Sequence, residues 1–327
     1  MAATWRRLST ERSRITQAPK TSSARRCRGS SQGQQKLGAL LQDRLLGSVE
    51  HTRNGHDRLA EVKAQGKLSF PSLSIAISDI KREDEASEVS TSILQAIESI
   101  LHGSGRILSQ RNALILGSRG AIGRRLVREL CQRSKRGSAQ VSGLDLVADG
   151  SAEVHEAKSF DKLERQRWLD CDLLIGVTGT SVLDGSALES WLLEGSRPEL
   201  WIASGSTKTV EFSDFAAWLS TLRSHDAPSI AGQRVRLSTH EILDPISGRL
   251  FGHRHRFELG EEGRVRELCF LAHLMPINFL YYGVPTEMIE QVLRALVQAG
   301  LGLVRDPAIP LGLHAVDHDV DADGRAL

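Results

Sequence analysis

Only four cysteines occur in this 327-residue chain, Cys27, Cys131, Cys171 and Cys269. None forms a C-x-x-C pair that could hold zinc or cycle as a redox disulfide, and their scatter suits a reduced interior. Tyrosine is scarcer still, at Tyr281 and Tyr282 alone. Four places on from them stand Pro285 and Thr286, so the Tyr-x-x-x-Lys pair that short-chain dehydrogenases and epimerases use as acid and base is excluded. No apolar run reaches the roughly 18 to 20 residues that span a bilayer, and the start lacks the apolar stretch of a secretory signal. No membrane partner is expected, and the expected compartment is the cytoplasm. An excess of one charge is missing too: 42 basic residues face 40 acidic ones, which gives no general case for a nucleic-acid partner.

The charge present is uneven. Residues 1–30 hold eight Arg or Lys against Glu11 alone. Residues 1–36, rich in Arg, Ser, Thr and Gln, are therefore predicted to form a basic disordered tail. Arg is favoured over Lys along the whole chain, so this composition is not taken as an organellar transit signal. Residues 37–86 read as a small helical and strand segment. Leu37, Leu40, Leu41, Leu45, Leu59 and Val62 give a helical period broken near Asn54-Gly55, which predicts two short helices, and Phe70-Pro71 opens a strand over 72–77. Lys81 falls in a charged connection, 79–88, and reads as solvated. The last stretch, 304–327, is read as a polar tail. There Asp319, Asp321, Asp323 and Gly324 imitate the opening of a calcium loop without its twelfth-position Glu, so no metal site is expected.

From residue 87 to 303 the pattern is that of one domain. Ile93, Leu94, Ile97, Ile100 and Leu101 recur at helical spacing. Short apolar strands over 113–116, 140–144, 172–177 and 200–204 then alternate with helices near 122–132, 187–193 and 212–222. A less regular stretch with a hairpin signal at Ser247-Gly248 follows, then a strand over 267–272 and a helix over 286–298. This alternation predicts an α/β fold: a Rossmann-type, doubly wound parallel sheet with flanking helices, preceded by the small N-terminal helical segment.

The candidate site opens after the first of these strands. Gly117-Ser118-Arg119-Gly120-Ala121-Ile122-Gly123 runs from strand into amphipathic helix, where backbone N–H groups approach a pyrophosphate and the helix dipole favours its charge. The spacing is G-x-x-G-x-x-G, with Ser118 where the commoner fingerprint has a glycine. Asp145 ends the second strand 22 residues past Gly123, close to the roughly 20 expected of the acid that binds the adenosine ribose. A carboxylate there repels a 2′-phosphate, so NAD is favoured over NADP, while Arg119 and Arg124 keep NADP in play. Asp149 is the fallback acid. Thr178, Gly179 and Thr180 end the third strand, and Ser204 and Gly205 the fourth. All sit where open α/β sheets bind ligands.

In this order the motifs resemble the NAD-binding domain of S-adenosylhomocysteine hydrolase over about residues 70–300. Phe70-Pro71, the helix containing Ser92-Ile-Leu-Gln-Ala-Ile, the glycine turn, Asp145, Val177-Thr-Gly, Gly205, Pro276-Ile-Asn278-Phe and Gly283-Val-Pro285 carry the likeness. The resemblance implies an NAD-binding protein, with Asn278 near the nicotinamide amide. It also implies what is missing. Ser206 and Val284 stand where the family has histidines, its Lys-Phe-Asp segment is not found between Asp79 and Ser87, and its large substrate domain and C-terminal Lys-Tyr tail have no counterpart. A complete hydrolase is excluded.

Two other functions stay open: a NAD(P)-dependent oxidoreductase acting on a small hydroxyl or amine substrate, and a non-catalytic interaction module with an empty cleft. His273 is the candidate acid or base for the former. His253 and His255 share one face of a strand and read as surface residues. Lys208 reads as an exposed turn lysine. The partner expected is a dinucleotide, and assembly into a homo-oligomer is left open.

Overall fold

Ala113-Leu-Ile-Leu116 is apolar and buried at all four positions, as a strand covered on both faces must be. The computed structural model describes residues 45–148, 154–206, 210–261, 263–281, 283–306 and 308–316. Apart from Leu45 they belong to one unit, Leu46–Leu327. Its elements are β1 (Ser48–Glu50), α1 (Arg53–Ala64), β2 (Pro71–Ser74), α2 (Ala86–Gly103), β3 (Ala113–Leu116), α3 (Gly123–Arg133), β4 (Val141–Leu144) and β5 (His155–Ala157). They continue with α4 (Arg165–Leu169), β6 (Leu173–Gly176), α5 (Gly185–Glu194), β7 (Glu199–Ser204), α6 (Ser213–Ser224), β8 (Ser229–Ile230), β9 (Gln233–Leu243), β10 (Leu250–Leu259), β11 (Arg264–Leu271), α7 (Thr286–Arg305) and β12 (Gly312–Ala315).

Nine strands form the main sheet in the order β5-β4-β3-β6-β7-β11-β10-β9-β8. The first six are mutually parallel; β10 runs antiparallel to β11, and β9 antiparallel to β10. This is the doubly wound α/β fold of Rossmann type. Alternate side chains feed two cores. Leu114, Leu116, Leu174 and Ile202 meet Trp168, Leu188, Trp191 and Phe215 from α4, α5 and α6. Ala113, Ile115, Ile175 and Trp201 meet Ile93, Ile97, Leu126 and Leu130 from α2 and α3. A smaller parallel sheet, β1-β2-β12, packs with α7 around Ile75, Met288 and Val292.

Several local expectations are corrected. Asn54-Gly55 does not break a helix but starts one. The Thr52 hydroxyl accepts the Gly55 amide at 3.0 Å, satisfying a donor that every first turn leaves unpaired. Residues 48–50 form a strand rather than helix, and residues 37–44 lie outside the described part, as do 1–36 and the aspartates from Asp317 on. The charged connection is a π-helical turn, Ile80–Glu85, and Lys81 is not solvated. Its side chain is 11% exposed and pairs with Glu85, with His51 Nε2 at 3.2 Å. The irregular stretch is the long β9–β10 hairpin, and β12 lies where a tail was read. Among the described residues no helix is long and apolar enough to cross a membrane.

Candidate functional site

From β3 the chain winds outward through β4 and β5, then returns to place β6 on the other side of β3. The carboxyl ends of β3 and β6 therefore flank the point where the winding reverses, the place at which open α/β sheets bind ligands. Gly117 turns out of β3 with φ +83°, a left-handed conformation that glycine adopts without strain. Its amide is held by the Leu144 carbonyl at 2.7 Å, and its carbonyl accepts the Gly120 amide at 3.1 Å. Gly120 is exposed; Ala121 and Ile122 are half-buried and head α3. Their amides have no partner among the described residues, as expected of the first turn of a helix.

Behind this turn lies a small polar network. Ser118 is buried, and its hydroxyl donates to Glu156 Oε1 at 2.7 Å. Arg119 Nε donates to Glu156 Oε2 at 2.6 Å, and the Arg119 amide to Asp145 Oδ2 at 2.9 Å. The Asp145 Oδ1 atom accepts the Val147 amide at 3.1 Å. Half-buried at the tip of β4, Asp145 faces the glycine turn and keeps unused lone pairs on both oxygens. Arg124, about half exposed, pairs with Glu83, as does Arg125. Their hydrogen bonds hold the Glu83 carboxyl below its usual range. Asp149 and Lys208 lie outside the described residues.

At the end of β6 stands a residue that sequence reasoning missed. Glu211, with no exposed surface, accepts the Thr178 amide at 3.0 Å, the Thr178 hydroxyl at 2.8 Å and the Gly179 amide at 2.7 Å. These two amides are thus engaged within the protein. Gly179 and Thr180 are exposed, and nothing lies within 4 Å of where a Gly179 Cβ would be, so this turn offers open surface rather than donors. Ser204, buried at the end of β7, bridges to Pro276, and the Gly205 amide bonds the Gly176 carbonyl at 2.8 Å. The bridge brings up the short turn Ile277–Leu280, in which Asn278 is 4% exposed. Among the described residues its Oδ1 has no hydrogen-bond partner, a buried acceptor left unsatisfied.

The same end of the sheet carries His273. Ala272, His273 and Leu274 have φ of 49°, 55° and 60°, three successive left-handed residues without a glycine, an arrangement usually found where function demands it. The turn buries Ala272 and Leu274 and exposes the His273 ring, whose centroid lies 4.7 Å from that of His253. Burial and His273 together lower the His253 pKa. The surface reading of His255 is wrong: it is 4% exposed, and Arg223 donates to its Nδ1 at 3.0 Å. Burial first, then Arg223, pushes its pKa down to about 3. Among the described residues no cluster of three His, Cys, Asp or Glu could hold a metal. A cavity of about 570 Å³ beside α2, lined by Ser99, His102, Arg106 and Tyr281 among others, includes none of the turn residues above.

No family model matches the chain, and no curated protein does. Solved structures that it resembles include a glycerate dehydrogenase related protein from Thermoplasma acidophilum, with 14% identity, a TM-score of 0.31 and coverage of 54% of this chain and 79% of that one. A 2-hydroxyacid dehydrogenase from Ketogulonicigenium vulgare Y25 has 15% identity and a TM-score of 0.35 over 56% of this chain and 66% of its own. A formate dehydrogenase from Granulicella M. has 11% identity and a TM-score of 0.33 over 51% and 52%. At these similarities the functional reading rests on this chain's own residues.

Proposed function

We propose that this protein binds a nicotinamide dinucleotide, NAD in preference to NADP, across the crevice between β3 and β6. The observation that carries the reading is the pairing of the Gly117–Gly123 turn with Asp145, whose carboxylate meets the turn through the Arg119 amide at 2.9 Å. The pyrophosphate would lie on the amides of Ala121 and Ile122, and the adenosine ribose would donate to the open lone pairs of Asp145. Gly179, Thr180, Ser204 and Gly205 would border the rest. The carboxamide of the nicotinamide would supply the donor that Asn278 Oδ1 lacks. Both arginines near the turn are engaged by carboxylates, which favours NAD. The relation to the cofactor domain of S-adenosylhomocysteine hydrolase belongs to this proposal and rests on the motif order alone.

Thermal unfolding with each dinucleotide tests it. Saturation at 100 times the dissociation constant should stabilise the fold by about 2.7 kcal/mol, with NAD effective at lower concentration than NADP. No shift with either would leave a non-catalytic module as the better reading.

His273 favours one elaboration, redox turnover of a small hydroxyl or amine substrate. It lies three residues before Pro276, which bridges to Ser204, and its exposed ring stands against His253 of β10. There an imidazole could take the proton that accompanies hydride loss.

A further inference from the structure

We infer that Glu156 is the residue that sets this site against NADP, by holding the Arg119 guanidinium away from the position of a 2′-phosphate. The inference rests on the dinucleotide reading above and concerns which dinucleotide enters. Arg119 serves two acids with two parts of itself. Its amide meets the outer acid, Asp145, at 2.9 Å, which places its Cα beside the ribose position. A guanidinium starting there is the group that would ordinarily receive a 2′-phosphate, because its fork of donors matches phosphate oxygens. Instead its Nε is turned to the inner acid, Glu156, at 2.6 Å.

The inner acid is built in. Its side chain is 2% exposed, and its other oxygen is fixed by the Ser118 hydroxyl at 2.7 Å. Glu156 pairs across the sheet with Gly143. A Cβ on Gly143 would lie 2.5 Å from Ser118 Oγ and 2.9 Å from Glu156 Cγ, so the bare strand is what lets serine and glutamate share the space. The serine that replaces a glycine in the usual fingerprint thus positions the carboxylate that holds Arg119. Two carboxylates, one on the amide and one on the guanidinium of Arg119, leave this edge of the site negative, and a doubly charged phosphate meets repulsion there.

Dissociation constants for NAD and NADP, measured by calorimetry on the full chain alongside its melting curve, test the inference. Glu156→Gln removes the charge but keeps an acceptor for Ser118. It should shift the NADP to NAD affinity ratio about tenfold toward NADP, the scale of one charge-assisted contact to phosphate. Adding Arg119→Ala to that variant should return the ratio to its starting value. Glu156→Asp, too short to reach Arg119, should move the ratio the same way by less, and it serves should the glutamine variant not fold. An unchanged ratio in the folded variants, or a gain that survives Arg119→Ala, overturns the inference while leaving the dinucleotide reading intact. Failure of the unaltered protein to bind either nucleotide overturns both.

Discussion

A Cβ on Gly123 would stand 1.9 Å from the carbonyl oxygen of Gly117 and 3.0 Å from the Cα of Ser118. The helix α3 therefore starts pressed against the end of β3, and its dipole and first amides are aimed into the crevice by that contact. Gly123→Ala must push helix from strand. Overpacking of this kind costs about 1–3 kcal/mol, and the displaced amides should abolish the thermal shift with NAD. A variant that melts and binds as the parent does would show that the close approach has no part in binding.

Asp145→Ala should weaken NAD more than NADP. It removes an acceptor for the ribose hydroxyls and also a charge that repels a 2′-phosphate. Calorimetric titration with both nucleotides gives the two losses; equal losses would mean that Asp145 does not meet the ribose.

Glu211→Gln isolates the buried carboxylate under the Thr178-Gly179 turn. The carboxylate accepts the Thr178 amide on Oε1 and the Gly179 amide on Oε2. Glutamine must present an amide nitrogen to one of these donors. The unmatched pair should cost about 2–3 kcal/mol in a denaturant titration, whichever nucleotide is present. A change below about 0.5 kcal/mol would remove Glu211 as the support of that turn.

Two buried groups make stability depend on pH in opposite directions. His255 has its folded pKa pushed down to about 3, below the unfolded value, so its contribution is full above the unfolded pKa and is lost as pH falls. Asp172 has its folded pKa raised by burial to about 6, against the pull of Arg111. Its folded form therefore binds a proton more tightly, and its contribution rises as pH falls through 6. Between pH 7.5 and 5.5 the two contributions therefore run against each other. The melting temperature of His255→Gln, which keeps an acceptor for Arg223, should lie higher relative to that of the parent at pH 5.5 than at pH 7.5; an unchanged difference would show that His255 is not the group that titrates.

His273→Asn separates occupancy from chemistry. If the exposed imidazole is the acid or base of a redox reaction, the variant keeps the thermal shift with NAD and loses reduced-nicotinamide absorbance on addition of substrate, by about 10²-fold or more in rate. Retained turnover would move that role elsewhere.

The alternation of short apolar strands with helices and the glycine turn were legible in the chain because each is a local pattern. A strand buried on both faces must be apolar throughout, and a turn that presents amides needs small residues at close spacing. Asp145 was legible for the same reason, since strand length and turn length fix how far the next strand's tip lies along the chain. The long hairpin β9–β10 was harder to read, because β9 is largely exposed and carries little apolar signal. Glu156 and Glu211 could not be read at all. They are separated by 38 residues from Ser118 and 33 from Thr178, and along the sequence each is one more acid among solvated ones. Only the order of the strands carries those carboxylates to the donors that hold them, as it also brings Pro276 to Ser204. Sequence settled where the glycine turn leaves β3, since that depends on neighbours in the chain; the tertiary structure decided which charges stand behind that turn, since burial and pairing are made between residues far apart.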